Sequence, residues 1–144
     1  MTVIAYRDGI MAADGGTWSD SILCATDTRK IVRLDGRLVA CCGQRPDIEA
    51  FVIWLRSGAP SRDKPLLNAA KDGDFGAIVA DADGVWLADH SLRLYRAAGD
   101  YHVEGAHDGF LRGALAAGAT AEQAVRLAVR HCAYAAGNVQ VESL

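Results

Sequence analysis

The chain has 144 residues, of which 51% are hydrophobic and 23% charged, with a formal net charge of −3. That is one domain's worth of sequence, and it excludes a collagen-like, disordered or disulfide-scaffold chain. The absence of a basic block argues against a nucleic-acid or anionic-membrane partner, and the longest uncharged stretch, His131 to Val141, is too short to span a bilayer.

The N-terminal third reads as strands. MTVIAYRDG lacks a basic lead-in and its apolar run breaks at Arg7 and Asp8, so no signal peptide is expected. Strands at Thr2–Tyr6 and Ile10–Asp14 flank Arg7-Asp8-Gly9, a hairpin signal. Ile22–Ala25 is a short strand. Lys30–Leu34 and Arg37–Cys42 flank a second hairpin turn at Asp35-Gly36. Val3 and Ala5 alternate with Ile4 and Tyr6, so these strands are apolar on both faces and predict a sheet covered on both sides.

A helix follows, with Pro46 in its first turn and Ile48, Phe51, Val52 and Leu55 on one face; Gly58 and Pro60 end it. Residues 59–73 read as a surface loop. Strands resume at Phe75–Ala80 and Gly84–Ala88 across an Asp-Ala-Asp-Gly turn, with weaker ones at Leu92–Tyr95 and Tyr101–Val103. Two helices come next. Phe110, Ala114 and Ala117 share a face on the first. Thr120-Ala-Glu-Gln123 is a capping box opening the second, with Ala121, Ala124, Val125, Ala128 and Cys132 at helical spacing. Val139–Val141 closes as a strand. Without βαβ alternation, this order predicts an α+β fold of antiparallel sheets in a single domain, residues 1–144.

The four cysteines, Cys24, Cys41, Cys42 and Cys132, form no C-x-x-C, and the four histidines lack ligand spacing. Reduced cysteines in a cytoplasmic protein, without metal or cofactor, are expected. No P-loop, G-x-G-x-x-G or G-x-S-x-G occurs.

The start of the chain carries the chemistry. With Met1 trimmed, Thr2 holds a hydroxyl nucleophile and an α-amine with a pKa near ~8, suited to act as general base. Lys30 would stabilise the developing negative charge, and Asp14 would fix Lys30. A three-residue loop at Arg7-Asp8-Gly9 makes paired positions sum to 16 and sets Thr2 opposite Asp14. A two-residue loop gives 17, turns the two side chains to opposite faces and breaks the site.

Four stretches in this order resemble the proteasome β-subunit and HslV group of N-terminal nucleophile (Ntn) hydrolases. They are Thr2-Val-Ile-Ala, Met11-Ala-Ala-Asp14-Gly, Thr28-Arg-Lys30-Ile-Val-Arg-Leu, and Ala40-Cys-Cys-Gly43 before a helix. The later run from Gly105 through Val125 resembles the family's late helical pair. The resemblance implies a four-layer αββα sandwich, peptide or small-amide hydrolysis, and a homo-oligomeric ring; an ATPase partner is left unidentified. By position it assigns Thr2 as nucleophile and base, Lys30 as its tuner, Asp14 as the group orienting Lys30, and the Gly43 N–H as oxyanion donor. Cys41 would line the substrate pocket. Where the family carries polar support, this chain has Ala106, Cys132 and Ala135. That departure opens an alternative: a degenerate homologue that retains Met1 and serves assembly or ligand binding. A cysteine nucleophile at Cys41 or Cys42 is a further reading, one that predicts inactivation by thiol alkylation.

Overall fold

The structure is a computed structural model that describes residues 1–71 and 73–144. In chain order the strands and helices are β1 (Val3–Arg7), β2 (Ile10–Ala13), β3 (Thr17–Ser19), β4 (Ile22–Ala25), β5 (Ile31–Leu34), β6 (Arg37–Gly43), α1 (Arg45–Arg56), β7 (Phe75–Asp81), β8 (Gly84–Asp89), β9 (Leu94–Arg96), β10 (Tyr101–Gly105), α2 (Asp108–Ala116), α3 (Ala121–His131) and β11 (Gln140–Ser143). No helix is long and apolar enough to cross a membrane among the described residues.

Two antiparallel sheets are stacked, one ordered β10-β1-β2-β11 and the other β5-β6-β7-β8-β9. Their strands bury both faces. Val3, Ala5 and Ala12 pack against Leu111 and Leu115 of α2 and Ala124, Val125 and Ala128 of α3. The alternate residues Ile4, Tyr6, Met11 and Ala13 meet Leu38, Ala40, Ile78 and Ala80 of the facing sheet. On that sheet's outer side, Val39, Cys41, Ala77 and Val79 join Phe51, Trp54 and Leu55 of α1. The result is the expected four-layer αββα sandwich, with period-2 alternation sorting each strand into two apolar layers.

Several local expectations are corrected. Arg7 pairs with Ile10 and Ile4 with Ala13, so the first hairpin has a two-residue turn and a register sum of 17. The reason is backbone chemistry. Asp8 (φ 51) and Gly9 (φ 78) both take left-handed conformations, as a type I′ turn requires, and that turn matches the strands' twist. On α2 the buried side chains are Leu111 and Leu115, whereas Phe110 is 40% exposed. The helix is rotated from the expected face, putting its two leucines, four residues apart, against the sheet. Thr17–Ser19 forms an unexpected strand, pairing β4 in a separate hairpin. The loop 59–73 is not all surface: Leu67 and Ala69 are buried. It is tied down by buried Asp47 of α1, whose carboxylate accepts from Asn68 N, Asn68 Nδ2 and Ala69 N at 2.8–3.1 Å.

Candidate active site

The first sheet opens where β1 begins and β2 ends. Just beyond β2, the Asp14 N–H donates to the Val3 carbonyl (3.1 Å). Its carboxylate then accepts from Val3 N (2.8 Å) on Oδ1, and from Gly16 N (3.2 Å) and Ala136 N (3.3 Å) on Oδ2. Three backbone donors thus hold a carboxylate that is fully buried. Such donors fix the direction of the carboxylate.

Lys30 enters from the other sheet, immediately before β5. Its ammonium donates to Asp14 Oδ1 (2.8 Å) and to the Met1 carbonyl (3.3 Å), and its side chain is only 8% exposed. Burial lowers the pKa of Lys30 from the ordinary lysine value, against the opposing pull of Asp14. The backbone beside it is clamped by Gln140 of β11. The Gln140 Oε1 accepts from the N–H groups of Lys30 (2.9 Å) and Ile31 (3.0 Å), and its Nε2 donates to the Ile31 carbonyl (2.9 Å). Sequence reading missed Gln140, because a glutamine on a short closing strand carries no local signal of bridging two sheets.

The register sets Val3, not Thr2, beside Asp14. Lys30 nevertheless reaches the carbonyl of the peptide joining Met1 to Thr2, while Asp14 holds the N–H of the next peptide, joining Thr2 to Val3. Same-face pairing was too strict a criterion: Asp14 lies past the end of the ladder, where its side chain turns back to Val3 N, and Lys30 reaches across from the facing sheet. The Thr2 carbonyl accepts from Ala106 N (2.8 Å), securing the start of β1 to the end of β10.

Beside Thr2 is a cavity of about 380 Å³ walled by Met1, Thr2, Cys42, Gly43, Asp74 and Glu104, among others. Gly43 lies on that wall. Cys41 does not: it is 4% exposed and packs in the layer under α1, while the adjacent Cys42 lines the cavity. The Cys42 thiol donates to Glu104 Oε2 (3.9 Å). Burial, followed by the neighbouring Glu104 charge, pushes the Cys42 thiol up to about 12. Burial likewise raises Cys41. Neither thiol has the lowered pKa of an activated cysteine nucleophile. Glu104 is itself raised, chiefly by burial. A larger depression of about 680 Å³ runs along α3 between Arg126, Leu127 and Val139 and shares no lining residue with the cavity at Thr2; Asp14 and Lys30 line neither. Among the described residues, no group of three or more His, Cys, Asp or Glu side chains is placed to hold a metal ion.

No family model matches the sequence, and no curated protein matches it. Solved structures do. Thiobacillus denitrificans BPH in complex with epoxomicin superposes with a TM-score of 0.71 at 16% identity, over 99% of this chain and 97% of that one. Eukaryotic HslV from Trypanosoma brucei gives a TM-score of 0.68 at 17% identity, over 99% and 98%. The chain therefore has the HslV-like, proteasome-type fold over essentially its whole length.

Proposed function

We propose that this proteasome-fold chain is an N-terminal threonine hydrolase acting on peptides or small amides through Thr2. The observation that carries the reading is the buried Lys30–Asp14 pair, whose ammonium rests 3.3 Å from the carbonyl oxygen of the Met1–Thr2 peptide. Cutting that peptide would leave a free Thr2 amine beside the ammonium. Lys30 would keep this amine from protonating at neutral pH and favour its role as base.

In this reading the Thr2 Oγ attacks the substrate carbonyl carbon and the Thr2 α-amine takes the hydroxyl proton. The oxyanion accepts a hydrogen bond from the Gly43 N–H, with Lys30 stabilising the charge on Oγ. The α-ammonium gives its proton to the leaving amine as the C–N bond breaks, leaving an ester on Thr2. Water, deprotonated by the same amine, cleaves the ester. Assembly into a homo-oligomeric ring belongs to the same reading, and light scattering tests it; a monomer removes it.

Intact mass is the first test. Loss of Met1 is expected, followed by hydrolysis of fluorogenic peptide amides that disappears in Thr2→Ala. Covalent labelling by epoxomicin, the ligand in one of the similar structures, is expected only with Thr2 present. Full retention of Met1, or unchanged turnover in Thr2→Ala, overturns the proposal.

A second reading has its own observation. The Ala136 and Ala106 backbone amides contact Asp14 and the Thr2 carbonyl, but their side chains bring no polar group to the site. With Met1 retained, Lys30 would serve as a structural cation capped by the Met1 carbonyl, and the fold would serve assembly or ligand binding.

A further inference from the structure

Glu104 stands at a position where the sheet offers only interior. It pairs with Ile4 on β1, and Ile4 is fully buried between the two sheets. The side chain on that face should be apolar. Instead a carboxyl group occupies the open end of the inter-sheet layer, on the wall of the cavity that Thr2 also lines. The facing strand leaves room for it: a Cβ on Gly76 would lie 2.2 Å from Glu104 Oε2. Its side-chain partner is the weakly donating Cys42 thiol, at 3.9 Å. Asp74 adds a second carboxylate to the lining, and among the described residues the cavity wall contains no lysine or arginine.

We propose that Glu104 is a specificity-determining residue: it makes the cavity select a substrate with a cationic side chain next to the bond that Thr2 cuts. A lysine- or arginine-type side chain entering beside Thr2 would meet a carboxylate that makes no ion pair among the described residues; the charge of Arg112, itself paired with Asp108, acts on it only at longer range. Burial has already stripped Glu104 of much of its water, so little further desolvation opposes the contact. A neutral side chain would leave the acid with the thiol as its only side-chain hydrogen-bond partner among the described residues. An acidic one would face two carboxylates. Cys42, on the wall of the same cavity and in contact with Glu104, supplies a small surface for the aliphatic stem.

The kinetic form of this inference rests on the Thr2 reading, so the decisive experiment is a binding one that does not need turnover. Thr2→Ala protein is titrated with two capped tripeptide amides, identical except for arginine or norleucine at the C-terminal residue, by isothermal calorimetry. The arginine peptide is expected to bind tighter by about ten-fold or more, the scale of a charged hydrogen bond. Glu104→Gln in the same background should collapse that ratio towards one, and Glu104→Lys should invert the preference towards a glutamate peptide. Equal binding of the two peptides, or a ratio that survives Glu104→Gln, overturns the inference. With the Thr2 enzyme, the ratio of kcat/KM for the matching fluorogenic amides should fall by the same factor in Glu104→Gln. An enzyme that cuts nothing refutes the Thr2 reading, while the calorimetric ratio still decides the role of Glu104.

Discussion

At the residue scale, the site is built around a charge pair that water barely reaches. Asp14 is fully buried and Lys30 nearly so. Attraction inside the protein is offset by the loss of hydration, but removing one partner strands the other. Asp14→Ala leaves a buried ammonium uncompensated and removes the acceptor of three backbone N–H groups, so a loss of about 3–5 kcal/mol is expected in urea denaturation. Lys30→Met should cost less, because the carboxylate keeps Val3, Gly16 and Ala136 as donors. The double variant should recover part of the Asp14→Ala loss; strict additivity would show that the two groups do not interact. Glu104 makes a second prediction, of opposite sign to an ordinary salt-bridged acid. Its folded pKa is raised by burial, so between the ordinary glutamate value and the raised one the native state holds a proton that the unfolded chain has released. Its contribution to stability is therefore full below an ordinary glutamate pKa of about 4.3 and is lost as pH rises through the folded value. The stability of Glu104→Gln relative to the parent should increase from pH 4 to pH 7 in paired denaturation curves. A flat difference would mean that Glu104 is not desolvated.

At the element scale, the sequence disclosed whatever rested on local chemistry. Asp8-Gly9 and Asp35-Gly36 announce hairpins because an Asp followed by Gly suits successive positive φ angles, and both turns adopt them. Thr120 and Gln123 announce a helix start, and both halves of the capping box form. Two-sided apolar strands announced a covered sheet. Register was harder to read: Arg7-Asp8-Gly9 accommodates either loop, and neighbouring β10 and β11 help to decide between them. The face of α2 was lost for a similar reason. Phe110 and Leu111 are adjacent apolar residues, and only the shape of the underlying sheet chooses the leucine. Within the site, Asp14 and Lys30 were readable as charged residues at strand ends, whereas Gln140 and Glu104 derive their meaning from strands far away in sequence. Two glycines separate local from long-range constraint. At Gly9 an added Cβ meets nothing within 4 Å, so Gly9→Ala should cost only the left-handed strain of about 1–2 kcal/mol. At Gly105 (φ +94) an added Cβ would lie 2.1 Å from the Thr2 carbonyl oxygen. Gly105→Ala should therefore be the more destabilising of the two, and it should shift the amide resonances of Val3 and Ala106, on either side of the Thr2 carbonyl, in NMR spectra, where Gly9→Ala leaves them in place.

At the scale of the whole molecule, the candidate site lies at the mouth of the layer that joins the sheets. Lys30 comes from one sheet and Asp14 from the other, so their 2.8 Å contact depends on the distance between the two. That distance is set by interlocking side chains: Ile4, Met11 and Ala13 on one side, Leu38, Ala40 and Ile78 on the other, all fully buried. Aromatic side chains are few here, and small residues such as Ala13, Ala40 and Ala80 bring the backbones close, so a deleted methyl group has little flexible material nearby to refill its space. Ile78→Ala should lose about 2–5 kcal/mol, the cost of removing buried methyl groups and leaving a cavity. Ile22→Ala, at a side chain 70% exposed on the β3–β4 hairpin, should change stability by less than about 0.5 kcal/mol. The consequence for the site separates packing from chemistry. If sheet spacing holds the ion pair, Ile78→Ala should also speed hydrogen exchange at the Val3 and Asp14 amides, under conditions where the protein remains folded. An unchanged local exchange rate, with global stability reduced, would mean that the site is held by its own hydrogen bonds, independently of the interlayer core.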